Sequence, residues 1–360
     1  MNEKTPLIRI AKREDMPKSK VWMVRGIAFL VAIIIGGIIF MIAGANPFEA
    51  YGALVTGALG KKSGIKQVVK IATPLLCTAL ALAPCFKMKY WNIGAEGQIT
   101  MGAMAAAFFG LKFGDTWPGI VLLPIMGIAS MIMGALWSAV PAFFKSKWGT
   151  NETLFTLMMN YIAIGIVGWL QGGPWEGKEG SQIIPNFGEH AVLPKVLGVH
   201  IGWILVLLVT AFIYVYMKYT KHGYEVAVLG ESENTARYAG MNVVKIIIRT
   251  ACLSGAIAGL AGFMMASGAS QTLYSDIAGG VGFTAITVAW LAQLNPIAMI
   301  IISLLLAVLE KGASAVQTAL QVPSSISGII TGIILISLLA CEFFINYKMI
   351  FRNQKEREAN

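Results

Sequence analysis

The chain has 360 residues, of which 56% are hydrophobic and only 13% charged, with a formal net charge of +10. Soluble domains carry roughly 25% charged residues, and the apolar residues here come in blocks longer than the roughly 18 that argue for a membrane span. Composition therefore excludes an ordinary soluble globule and predicts an all-α polytopic membrane protein.

The basic residues sit at the ends and in the loops, not in one patch. Lys4, Arg9, Lys12, Arg13, Lys18, Lys20 and Arg25 come first, and Lys348, Arg352, Lys355 and Arg357 come last. Charges so placed orient a chain in a bilayer, so no nucleic-acid partner is expected. Residues 1–21 read as a cytoplasmic tail, 22–347 as the transmembrane domain and 348–360 as a second cytoplasmic tail. The first apolar run, "IAFLVAIIIGGIIFMIAGA", is too long for a signal-peptide core and reads as a retained span.

About ten apolar segments follow the chain: 22–45, 66–86, 97–113, 117–144, 150–172, 200–219, 246–269, 280–293, 296–316 and 323–347. A cytoplasmic N-terminus puts the connections 87–96, 145–149 and 220–245 and the C-terminal tail inside, and all four carry Lys or Arg. The long connection 173–199 falls outside, with three glutamates against two lysines. Lys61, Lys62 and Lys66 also fall outside, against the rule.

Without the first and sixth segments, two sets of four remain, of opposite orientation. The second member of each set, 97–113 and 280–293, is short and interrupted by glycine. Short, broken segments at matching places in inverted halves point to a binding site near the midplane of a transporter, because irregular backbone at that depth must be buried in protein or line a cavity. The approach to the first, "YWNIGAEGQ", carries Asn92, Glu96 and Gln98 beside Gly94 and Gly97; the approach to the second is "YSDIAGGVGF". Two readings stay open for the first. The polar residues line the route of something hydrophilic, or 87–96 is a cytoplasmic turn whose Glu96 and Gln98 cap the next helix. Glu310 and Lys311 are further candidates, for a pathway or for a structural charge pair, and Gly312 beside them suggests a broken helix.

Between the sixth and seventh segments, Ser232 reads as a helix N-cap, Glu233 and Arg237 as an i, i+4 pair and Gly240 as the C-terminal stop. A helix of about eight residues is marginal alone and needs something to dock against. Of nucleotide-binding motifs there is only a near miss: "TGALGKKSG" has Val55 where a phosphate loop needs glycine. No HExxH and no Ser/His/Asp set can be assembled, and Cys77, Cys85, Cys252 and Cys341 have no metal spacing. The chain is expected to carry no catalytic residues, no metal and no cofactor.

Five strings, "WNIGAEGQITMGA", "LGESENTARYAGMNVVK", "LSGAIAGLAG", "GGVGFTAITVAWLAQLNP" and "AVQTALQVPSSISGIITGIILI", occur in this order. They resemble the signatures of ABC-type importer permeases for nucleosides and simple sugars, a group that also includes branched-chain amino acid permeases. The "NIGxEGQ" string is similar to the nucleoside branch, in its longer permease subunit. The resemblance implies a multi-pass subunit in a bacterial plasma membrane that imports nucleosides, purine nucleosides first. Its implied partners are a cytoplasmic ATP-binding cassette ATPase, a second permease chain of different sequence and an extracellular substrate-binding lipoprotein. It also implies a translocation pathway with Asn92, Gly94, Glu96, Gly97, Gln98, Gly282, Phe283 and Gln317, the last followed by Val322 and Pro323. ATPase coupling falls to Gly230, Ser232, Glu233, Ala236, Arg237 and Gly240. Arg237, Trp290 and Ala292 depart from the family pattern. Import of a sugar such as ribose or galactose, and an ion-coupled secondary transporter using Glu96 or Glu310, are the alternatives.

Overall fold

The computed structural model describes residues 8–12, 17–321 and 323–351. In chain order its elements are β1 (Ile8–Lys12), α1 (Lys18–Ile42), α2 (Pro47–Leu59), α3 (Lys62–Lys87), α4 (Ala95–Phe113), α5 (Gly119–Trp148) and α6 (Glu152–Gln171). A short hairpin of β2 (Lys195–Val196) and β3 (Val199–His200) leads into α7 (Gly202–Tyr219), α8 (Lys221–Glu231), α9 (Glu233–Tyr238) and α10 (Val243–Phe263). After a π-helical stretch, Met264–Ser270, come α11 (Val281–Leu291), α12 (Pro296–Leu320), α13 (Ser324–Asn346) and β4 (Tyr347–Phe351).

Each of the ten expected segments coincides with a helix. Among the described residues, six helices are long and apolar enough to cross a bilayer: α3, α5, α6, α7, α10 with its π-helical end, and α12. The pair α1–α2, bent by 112°, makes a seventh if taken as one broken span. The segment expected at 280–293 is α11, only 11 residues. At 1.5 Å per residue it is about 16 Å long, roughly half of a bilayer core.

The chain divides into two compact units. One runs over 61–308. At its centre are α3 and α10, whose most apolar windows are 83% and 56% buried, against 28% for α5 and α7. Around α10, α4 and α5 approach closely because small residues face one another. A Cβ added at Gly102 or Gly134 would strike Gly259, and one at Gly255 would strike Gly134. Lipid is as apolar as a leucine surface, so such contacts, more than water exclusion, hold membrane helices together.

The other unit comprises 1–60 and 309–360. Here Asn46 accepts from Phe48 N at 3.0 Å to start α2, and Tyr51 donates its hydroxyl to Ile33 O at 2.6 Å, tying α2 to α1. β1 pairs antiparallel with β4, Ile8 opposite Phe351, which brings the two tails together. The break expected at Gly312 does not occur, for α12 runs unbroken to Leu320. The missing Cβ instead makes room for Leu54 of α2, and a helical glycine costs only about 1 kcal/mol relative to alanine, which such packing offsets. Glu310 is exposed, and no ion pair joins it to Lys311 among the described residues.

Candidate functional site

From the end of α3 the chain turns at Lys89, whose φ is 59°, and runs without helical structure to α4. Buried backbone of this kind must have its polar groups met locally. Thr156 and Asn160, one turn apart on α6, meet them. Ile93 N donates to Thr156 Oγ1 at 3.1 Å, Asn160 Nδ2 donates to Ile93 O at 2.9 Å, and Gly97 N donates to Asn160 Oδ1 at 2.8 Å. Gly94 and Gly97 are glycine because a Cβ at either would come within 3.0 Å of α6. Their role is close approach.

Asn92 and Gln98 face each other across this turn. Gln98 Nε2 donates to Asn92 Oδ1 at 3.1 Å, and Asn92 Nδ2 donates to Ser254 Oγ of α10 at 3.2 Å. Both residues are fully or almost fully buried. Neither Glu96 nor Gln98 caps α4, which has no side-chain cap. Glu96 caps a different helix. Its two carboxylate oxygens accept from Gly280 N at 2.6 Å and Gly282 N at 2.7 Å, the free N–H groups at the start of α11. A helix N-terminus carries unpaired donors and partial positive charge, and an ionised acceptor makes the stronger kind of hydrogen bond. A side chain on Gly282 would collide with Glu96. The structure thus joins the string around residue 96 to the one around residue 281, across just over half the chain.

From that anchor α11 and the stretch 90–95 run side by side, and at the far end Trp91 stacks on Trp290, with ring centroids 5.5 Å apart and planes 21° apart. Phe86 stacks on Trp290 in turn at 5.7 Å. Phe283 and Trp290 are seven residues apart on α11 and so share a face. Phe283 is 43% exposed, Trp91 45% and Trp290 39%. Sequence reasoning singled out Phe283 but took Trp290 only as a departure from pattern; its spacing from Phe283 was the available signal. Gln317 is exposed on α12, and Val322 lies outside the described residues.

The segment 230–240 takes the local form its sequence suggests. Ser232 Oγ accepts from Thr235 N at 3.3 Å, α9 covers Glu233–Tyr238, and Gly240 has φ 71°. Glu233 and Arg237 pair at 2.7 Å on the exposed side, while Ala236 is fully buried. A Cβ on Gly230 would strike the carbonyl of Lys87, so α8 lies directly on the end of α3. Val226, Leu229 and Ala236 share one apolar cluster with Cys85, Met88, Tyr90 and Val243. Glu225 of α8 bonds to Arg249 of α10 at 2.9 Å. Burial pushes its carboxyl up, but hydrogen bonds from Arg249 and His222 outweigh that and hold it below the usual range. The segment 226–240 therefore rests on the same stretch, 85–90, that continues into Asn92 and Glu96. Among the described residues no three His, Cys, Asp or Glu side chains gather as metal ligands would.

The model of the branched-chain amino acid transport system permease component family matches residues 64–339, which include both strings and the segment 230–240. The chain belongs to that family. It is a multi-pass integral membrane protein and a transport subunit. The permease is 30% identical over 345 residues to a glucose ABC transporter permease protein of Haloferax volcanii, covering 91% of this chain and 90% of that one. It is 29% identical over 334 residues to a guanosine ABC transporter permease protein of Bacillus subtilis, covering 90% and 94%. With a nucleoside ABC transporter permease protein of Lactococcus lactis it shares 27% over 349 residues, covering 92% and 93%.

Proposed function

We propose that this permease is the membrane-spanning subunit of an ATP-driven nucleoside importer of the plasma membrane. Purine nucleosides are its first cargo. The observation that carries the reading is the row of exposed rings on α11, Phe283 and Trp290, backed by Trp91. A purine is flat and stacks on such rings, a contact worth about 0.5–1.5 kcal/mol beyond the area it buries. Contacts of that size hold a cargo without trapping it, as a conduit requires. The relatives named for guanosine and nucleosides, similar over nine-tenths of each chain, support the same cargo.

In this reading ten spans form two inverted halves with both termini in the cytoplasm, and α9 seats on an ATP-binding cassette ATPase that hydrolyses the ATP. A second permease chain completes the path, and an extracellular lipoprotein delivers the cargo. Closure of the ATPase pair presses on α9 and α8. The contact of Gly230 with the Lys87 carbonyl passes that displacement to 88–94, and the Glu96 carboxylate passes it to α11. Access then switches as α11 moves with its rings.

Sugar import is the second reading, favoured by the glucose-named relative at 30% identity. Uptake of labelled guanosine by cells expressing the whole importer separates the two. Excess unlabelled guanosine or uridine should displace the label while ribose and glucose do not, and ATP depletion should abolish uptake. Labelled glucose taken up in place of guanosine, and displaced by unlabelled glucose, supports the sugar reading. Uphill uptake by the chain without any ATPase would refute both.

A further inference from the structure

At the end of the 61–308 unit away from α8 and α9, a small cavity opens between the start of α3, the β2–β3 hairpin and the end of the π-helical stretch. Its volume is about 190 Å³, and it is lined by Lys66, Gln67, Lys70, Lys195, His200 and Gln271, together with backbone of 198–199 and 268–269. No carboxylate lines it. None of the three lysines has an ion-pair partner among the described residues. Lys66 and Lys70 stand at i and i+4 on α3, where like charges repel, and Lys195 adds a third ammonium from across the cavity. Three cations around one small space call for a counter-charge.

The walls are built rather than incidental. Gly198 has φ 83°, and its lack of a side chain leaves room for the head of Lys66 against the hairpin. Lys70 Nζ donates to Ala269 O at 2.9 Å, which fixes its head and leaves two N–H groups free. His200 is 3% exposed, and neither of its ring nitrogens has a hydrogen-bond partner. Buried polar atoms are rarely left so. Burial, with the charge of Lys70, holds the ring pKa down to about 4, so at neutral pH the imidazole is uncharged and offers one unused N–H.

We propose that this cavity is an oxyanion site that takes a phosphate group, held by Lys66, Lys70 and Lys195 and by the N–H of His200. A phosphate group is the matching shape. Its several oxygens accept from ammonium groups that act as point charges, from the imidazole, and from the amides of Gln67 and Gln271. The site also accounts for Lys66, which as an orientation signal lies on the wrong side: it is a ligand. Two sources carry this chemistry, free inorganic phosphate and the phosphate of a lipid headgroup. The cavity sits where the spans α3 and α7 begin and α10 ends, the level at which lipid phosphates lie.

The test uses the intact importer in nanodiscs of phosphatidylcholine, titrated with inorganic phosphate at low ionic strength and followed by calorimetry. In parallel, nanodiscs containing phosphatidylglycerol are examined by native mass spectrometry for lipid retained on the permease. The variants are Lys66→Gln/Lys195→Gln and, on the exposed hairpin alone, Lys195→Glu. Saturable phosphate binding weakened at least tenfold in the variants, with unchanged melting, supports a free-ion site. Phosphatidylglycerol retained by the wild type and lost by the variants supports a headgroup site. Neither ligand held by the wild type, or either held equally by all three proteins, overturns the proposal.

Discussion

Glu96→Gln strikes the bond between the two strings. In the wild type both carboxylate oxygens accept backbone N–H groups, from Gly280 and Gly282 at 2.6 and 2.7 Å, and the side chain is almost fully buried. The amide keeps one acceptor and turns its NH₂ toward the other N–H. One charge-assisted bond, about 1.5–3 kcal/mol, is lost, and a buried donor is left unmet at about 1–3 kcal/mol. Against this, the neutral side chain escapes part of the several kcal/mol that burying a carboxylate costs. The balance is a destabilisation of about 2 kcal/mol, concentrated at the start of α11. Amide hydrogen exchange reads it directly. Protection at Gly280 and Gly282 should fall by a factor of about 30, since each 1.4 kcal/mol is tenfold, while α5 and α7 keep theirs. Melting in detergent should drop by about 3 °C, at about 1 °C or slightly more per kcal/mol for a chain of this length. Nucleoside uptake should fall more than the assembled amount of importer does. Unchanged exchange at 280–282 together with normal uptake would refute the idea that the carboxylate holds α11.

At Gly240, φ is 71° and no atom lies near a would-be Cβ, so substitution there costs through backbone strain alone. Gly240→Val should lose about 1–2 kcal/mol and most ATP-driven uptake, while Gly240→Asn, which tolerates that conformation, should lose little of either; equal loss in both would point to a steric cause. His200 predicts an acid-sensitive fold. Its folded pKa, about 4, lies below its ordinary 6.5, so the unfolded chain binds more protons between these values. Stability is complete above pH 6.5 and is lost as pH falls toward 4. Between pH 7.5 and 5.0 the loss is about 2 kcal/mol in phosphate-free buffer, and Glu225 stays ionised throughout. His200→Gln should flatten that slope in thermal melts, and an identical slope would remove His200 as its source.

The sequence by itself determined what depends on near neighbours along the chain or on bulk composition. Blocks of apolar residues fixed the helical membrane class, and every expected segment is a helix. The Ser232 cap, the Glu233–Arg237 pair and the Gly240 stop were readable because each acts across three or four residues. The broken segment at 280–293 was readable because α11 is short in sequence as in space. The tertiary structure alone decided what Glu96 does, since its partners lie 184 and 186 residues away and no local rule spans that distance. It alone decided that Gly94 and Gly97 admit α6, and that Gly312 admits Leu54 instead of breaking α12. A glycine looks the same in sequence whether it frees the backbone or lets another helix come near. Which of the two it does depends on the surface that arrives opposite it, and only the packed chain supplies that surface.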